Sequence, residues 1–185
     1  MKLRMLLTAV LFLNGAAFAA DKRSPAVPIN DAELTARVTH EIAMYPLYSM
    51  WDIVSVKVAD GRVSLSGAVT LPAKKDDIER LVKGTPGVAG VDSRIDVLPP
   101  SNTDDRIRLQ VARAIYSAPA LSPLAGLAPP PIHIIVANGH VTLAGAVESE
   151  LQKTVAGMRA TTVPMTFGPV VNNLEVANLP AKKKA

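Results

Sequence analysis

Residues 56–69, Val-Lys-Val-Ala-Asp-Gly-Arg-Val-Ser-Leu-Ser-Gly-Ala-Val, recur at 134–147 as Ile-Ile-Val-Ala-Asn-Gly-His-Val-Thr-Leu-Ala-Gly-Ala-Val, identical at eight of fourteen positions with an offset of 78. Apolar and polar residues alternate on both sides of Asp60-Gly61 and of Asn138-Gly139, dipeptides that supply the positive φ values of a tight two-residue loop. Each copy is therefore expected to be a β-hairpin, and the chain a tandem duplication. The four glycines Gly61, Gly67, Gly139 and Gly145 have the spacing of a hairpin turn and a strand end, not of a phosphate-cradling loop, and are read as structural. Gly67 and Gly145 are expected to let a helix or another stretch of chain pass close to the sheet.

Working outward, Asp31, Leu34, Val38 and Ile42 reappear as Asp104, Ile107, Val111 and Ile115 with an offset of 73. The change of offset places the extra residues between helix and hairpin, where the second copy carries the long uncharged stretch 120–131. Asn30, with Glu33 three residues on, has the form of a capping box opening a first helix that Pro46 ends, and Asp31 and Glu33 suit its positive end. A second helix is expected over about 72–83, with Ile78, Leu81 and Val82 inward, and a third strand over 91–97.

In the second copy the order repeats: a helix from Asp104 behind a Thr103 cap, a hairpin over 132–145, a helix over about 149–160 and a strand over 170–176. Ser149 and Gln152 form its second capping box, and Leu151, Val155 and Met158 stand at the spacing of an inward helical stripe. The fold class expected is α+β, two tandem α-β-β-α-β modules, each a small three-stranded mixed sheet packed by two helices.

Met1-Lys2-Leu3-Arg4, an apolar run from Met5 to Leu13 and Ala17-Phe18-Ala19 read as a secretory signal peptide over 1–19. A flexible leader follows at 20–29, then a first domain at 30–97, a proline-stiffened linker at 98–103, a second domain at 104–178 and a basic tail at 179–185. The chain has no cysteine, so neither disulfides nor a lipid anchor on an N-terminal Cys is expected, and modules of about 70 residues must rely on their cores. Its formal net charge of +4 loses two cations, Lys2 and Arg4, with the signal. No Lys/Arg stripe is interleaved with aromatics, which argues against a nucleic-acid partner.

Nothing in the duplicated unit has the form of an enzyme site. His40, His133 and His140 lack companions at metal-ligand spacing and are read as surface or half-buried structural residues. Asp76-Asp77 and Glu148-x-Glu150 fall near helix starts, where the macrodipole accounts for them. The isolated Ser-x-Gly pieces lack the acid-base partners of a nucleophile. No cofactor, metal or catalytic residue is therefore assigned.

The surfaces that remain are the loops between the first helix and the hairpin. The first is Tyr45-Pro46-Leu47-Tyr48-Ser49-Met50-Trp51, with the only Trp and two of the three Tyr; residues 118–132 of the second carry no charge and include Leu121, Leu124 and Leu127. Amphipathic aromatics favour membrane interfaces and protein contacts. Tyr45, Leu47, Tyr48, Trp51, Leu121, Leu124 and Leu127 are thus candidate lipid or partner contacts, with Lys182, Lys183 and Lys184 as a weak electrostatic aid near anionic lipid. The alternative is that Leu47, Trp51 and the leucines cap small cores or form the contact between modules.

The pattern Val-x-x-Gly-x-Val-x-Leu-x-Gly-x-Val, at Val58 to Val69 and Val136 to Val147, resembles the BON domain of osmotically inducible periplasmic proteins. Gly87-Val88-Ala89-Gly90-Val91 fits that family's approach to its last strand, whereas the second copy has Thr166-Phe167-Gly168-Pro169-Val170 there. The resemblance spans nearly all of 31–97 and 104–176. It implies a periplasmic, non-enzymatic protein that maintains the envelope under stress and binds phospholipid or other envelope proteins. Two expectations follow: engagement of phospholipid through the apolar loops or, alternatively, a chaperone-like or scaffolding protein holding periplasmic and outer-membrane proteins by its strand edges or the same loops.

Overall fold

A computed structural model describes residues 30–164 and 166–177. The segments read as a signal peptide (1–19) and a leader (20–29), and Lys182-Lys183-Lys184, lie outside the described residues. The first module comprises α1 (Asp31–Ala43), β1 (Ile53–Ala59), β2 (Arg62–Val69), α2 (Pro72–Gly84) and β3 (Gly90–Val97). The second comprises α3 (Asn102–Tyr116), a 3₁₀ turn over Ser122–Gly126, β4 (Ile132–Ala137), β5 (His140–Val147), α4 (Glu150–Thr161) and β6 (Val171–Val176). The α-β-β-α-β order is thus present twice.

Each sheet is mixed, as its connections require. The hairpin pairs β1 with β2 antiparallel, while β3 returns parallel to β2 after the crossover helix α2, which gives the order β1-β2-β3. The second sheet repeats this as β4-β5-β6. Val63, Leu65 and Val69 of β2 point to the helices, and Arg62, Ser64 and Ser66 point away. Leu34, Val38 and Ile42 of α1 and Ile78 and Val82 of α2 close the first core over Ile95. Ile107, Val111 and Ile115 of α3 do the same over Ile132, Ile134, Val136 and Leu143 in the second.

Several local readings need correction. The second module's first helix starts at Asn102, and Ser101, not Thr103, is its cap, accepting the Asp104 amide at 3.2 Å. Asn30 caps α1 as expected at 2.8 Å, but the Glu33 carboxylate turns to Arg37 at 3.4 Å. Gln152 closes on the Glu148 amide at 2.8 Å, one residue ahead of the box position. Asp76 and Asp77 lie past the first turn of α2, so the helix dipole does not explain them; Asp77 instead accepts the Tyr45 hydroxyl at 2.7 Å and pairs with Arg80 at 2.8 Å.

The largest correction concerns α4. Leu151 and Met158 are 65% and 56% exposed, while Ala156 and Ala160 are the residues buried against the core. Small residues let this helix sit close to β6: the Asn172 amide donates to the Lys153 carbonyl at 2.9 Å, and a Cβ on Gly157 would lie 2.7 Å from it.

The repeated aspartate is more than a helix-end charge. Asp31 accepts the Asp60 and Gly61 amides at 2.9 and 3.0 Å, and Asp104 accepts those of Asn138 and Gly139 at 2.9 and 2.8 Å. Each helix start thereby ties down its hairpin turn, whose central residues hold positive φ. Because Asp104 is buried and Asp31 only partly so, Asp104→Ala is expected to cost about 2–3 kcal/mol by stranding two amides, with a smaller loss for Asp31→Ala. Urea unfolding midpoints of the two variants check this ranking.

Candidate functional site

The loop that precedes each hairpin also decides how the modules meet. β4 is an edge strand of the second sheet, and its Ile134 amide donates to the Met50 carbonyl of the first module at 2.7 Å. Met50 and Trp51 pack against the second core, whereas Tyr45 and Tyr48 pack against the first. The first module's apolar loop therefore bridges both cores. On the outer face of β4, His133 is buried and Ile135 half-buried, whereas β1 keeps Ser55 and Lys57 wet.

His133 occupies the outer face of β4, where its counterpart in β1 is the exposed Ser55. It is buried, its ring lies 5.6 Å from that of Tyr48, and its Nδ1 has no partner. Burial pulls the imidazole below its ordinary range, while the backbones of Asp52 and Ser49 and the Asp52 charge act in the opposite direction. The neutral ring is thus the form the seam accommodates. This residue, read from sequence as a surface or half-buried histidine, is an interface residue.

A buried network braces the same loop. Asp52, fully buried, accepts the Ser49 amide and hydroxyl at 3.0 and 2.7 Å, the Thr70 amide and hydroxyl at 2.8 and 2.9 Å, and the Lys74 ammonium at 2.7 Å. Burial raises the Asp52 carboxyl, but these bonds, Lys74 foremost, outweigh it and leave the group below the usual carboxylate range. Lys74 is itself 6% exposed and donates also to the Thr70 hydroxyl at 2.8 Å.

The candidate loop residues are sorted by this arrangement. Leu121 and Leu124 are core residues of the second module, at 0% and 9% exposure. Trp51, Tyr45 and Tyr48 are half-buried in the seam, and Leu47 and Leu127 stand out at 54% and 52%. Met44, which sequence reasoning passed over, is exposed as well. The two loops come together in one crevice of about 400 Å³ lined by Ala43–Pro46 and Tyr48–Trp51 from one module and Leu127–Pro130 from the other. None of those residues is charged.

Its uncharged lining suits apolar contact. Among the described residues no group of three or more His, Asp or Glu side chains could hold a metal ion. No helix among them is long and apolar enough to cross a membrane.

The family comparison agrees with the duplication. A family model, BON domain, matches residues 30–99 and 103–178, one match to each module. No curated protein matches the chain. Two solved structures of CdsD, a structural protein of the Type III secretion system of Chlamydia trachomatis, are similar at 14% identity over 80% of this chain. The first has a TM-score of 0.33, and the alignment spans 64% of its length; the second, a C-terminal domain, has a TM-score of 0.29 and is covered entirely.

Proposed function

The chain belongs to the BON-domain family, and from that membership we propose a non-enzymatic periplasmic envelope protein that engages phospholipid surfaces through the uncharged crevice at the module seam. BON domains are associated with phospholipid or membrane binding and occur in envelope proteins. The single observation that carries the finer reading is the convergence of both apolar loops on one crevice, with Leu127 in its wall and Leu47, in the same loop as the other wall, each left half in water. Half-exposed leucines with no structural duty are inexpensive to seat in a headgroup layer, where each contributes about 1 kcal/mol.

Co-sedimentation of the mature protein with anionic and zwitterionic vesicles, followed in parallel by Trp51 fluorescence, tests this. Binding with a blue shift is expected, and Leu47→Ser/Leu127→Ser should weaken it roughly tenfold or more without loss of fold. Full binding by that double variant overturns the crevice as the contact. Binding that salt abolishes, with no shift, assigns it to Lys182, Lys183 and Lys184 alone. If no vesicle binds but the protein suppresses aggregation of an unfolded outer-membrane client in lipid-free buffer, the scaffolding reading replaces this one.

A further inference from the structure

A second cleft, which also has Trp51 in its wall, has a volume of about 390 Å³, inside the range of roughly 300–1,000 Å³ usual for small-molecule sites. Its walls are Trp51 and Leu71 of the first module, Leu98, Pro99 and Pro100 of the linker and Leu109 of the second. Leu71 and Leu109 are 51% and 49% exposed. Thr70, Asp105 and Arg108 supply the polar lining.

Arg108 is only partly satisfied by the fold. Its side chain is 6% exposed, its Nη2 donates to the Val136 carbonyl at 2.6 Å, and its Nη1 pairs with Asp105. Its Nε has no partner at all. The Asp105 side chain that neutralises it is 63% exposed and so gives little to the site by staying. The duplication supplies an internal control: the corresponding residues of α1 are Thr35 and Ala32, and Thr35 merely bonds the Asp31 carbonyl one turn back. The first module therefore docks α1 on its hairpin with no buried cation from that helix. A buried guanidinium is costly unless something satisfies it, and its planar set of five donors is matched by an oxyanion.

We propose that this cleft binds a small amphipathic anion, a carboxylate or phosphate monoester on an apolar chain, with its headgroup on Arg108 in place of Asp105 and its chain between Leu71, Leu109 and the linker prolines. The site shares Trp51 alone with the lining of the seam crevice and does not depend on vesicle binding.

Titration of the full mature chain with decanoate, decyl phosphate, decanol and inorganic phosphate, by calorimetry and amide NMR shifts, tests it. Saturable one-to-one binding of decanoate or decyl phosphate is expected, at least tenfold tighter than of decanol or inorganic phosphate; the tighter of the two anions identifies the headgroup. Asp105→Asn should tighten binding severalfold by freeing Arg108, a gain that a merely structural arginine would not give. Arg108→Gln should weaken it at least tenfold, and Leu71→Asp, on an exposed side chain, should do so without touching the core. Anion binding should survive Leu47→Ser/Leu127→Ser, and vesicle binding should survive Leu71→Asp. Failure of both chain-bearing anions to bind, or binding indifferent to Asp105→Asn and Leu71→Asp, overturns the proposal.

Discussion

Asp52→Ala is expected to unfold the first module under conditions where the second remains folded. The substitution leaves the Lys74 ammonium buried with only the Thr70 hydroxyl, and strands the Thr70 and Ser49 amides that the carboxylate accepted. Removing one partner of a buried pair costs about 3–5 kcal/mol, most of what a domain of this size possesses. A melt of the variant should separate into two transitions, with the first lowered by about 15 °C or more. Asp52→Ala/Lys74→Met should recover much of the loss, because the lone charge goes with its partner.

The same network fixes a pH dependence. The Asp52 carboxyl lies below its ordinary value in the folded state, so its contribution is fully present above the unfolded carboxylate value near 3.9. It is lost as pH falls through the lowered folded value. Wild-type stability should therefore drop more steeply below about pH 4 than that of Asp52→Ala/Lys74→Met, as read from urea midpoints at each pH.

The second module shows that the pair is not required by the fold. At the hairpin offset, Asp52 and Lys74 correspond to Pro130 and Gln152, and Gln152 Oε1 takes the Glu148 amide just as Asp52 takes that of Thr70. One neutral side chain replaces an ion pair in the same post. The ion pair belongs to the loop it braces, which is the loop that meets β4.

What was legible in the amino-acid sequence follows from which interactions are local. Hairpin turns announce themselves through Asp60-Gly61 and Asn138-Gly139 because a positive φ at both central positions admits few residues. Alternation along β2 and the caps at Asn30 and Ser149 are equally short in range. Asp52, by contrast, meets Thr70 and Lys74 from 18 and 22 residues away, and no neighbour in the chain marks it as buried. The face of α4 was misread because Leu151, Val155 and Met158 outrank alanines in any hydrophobic stripe. The repeat itself held the answer: Ile78 and Val82, the inward residues of α2, fall on Ala156 and Ala160 at the offset of 78. The apolar loops were recognised, but their convergence depends on docking between modules, which no periodicity encodes.

Gly67→Ala and Gly145→Ala are expected to be the most damaging of the glycine substitutions, and the comparison with Gly61→Ala separates two physical effects. Both glycines stand within their strands, opposite Val54 and Ile132, with φ of +133° and +108°. The chain that passes close is the start of the partner strand: an added Cβ would lie 2.1 Å from the Ile53 carbonyl oxygen in one module and 2.1 Å from that of Pro131 in the other. Neither oxygen belongs to a flexible side chain, so the edge strand must move.

Movement in the second module also displaces His133, whose ring would sit 3.2 Å from the new methyl, and with it the seam to Tyr48. Gly61 has a positive φ as well, but a Cβ there meets nothing nearer than 3.4 Å, so Gly61→Ala carries only the conformational penalty of about 1–2 kcal/mol. Gly67→Ala and Gly145→Ala add the backbone collision and should exceed about 3 kcal/mol each. In denaturant melts Gly145→Ala should additionally shift Trp51 fluorescence before unfolding, because the strand it displaces carries the contact to Met50. A loss at Gly145 no larger than that at Gly61 would show that β4 yields freely, and that the seam does not hold it in place.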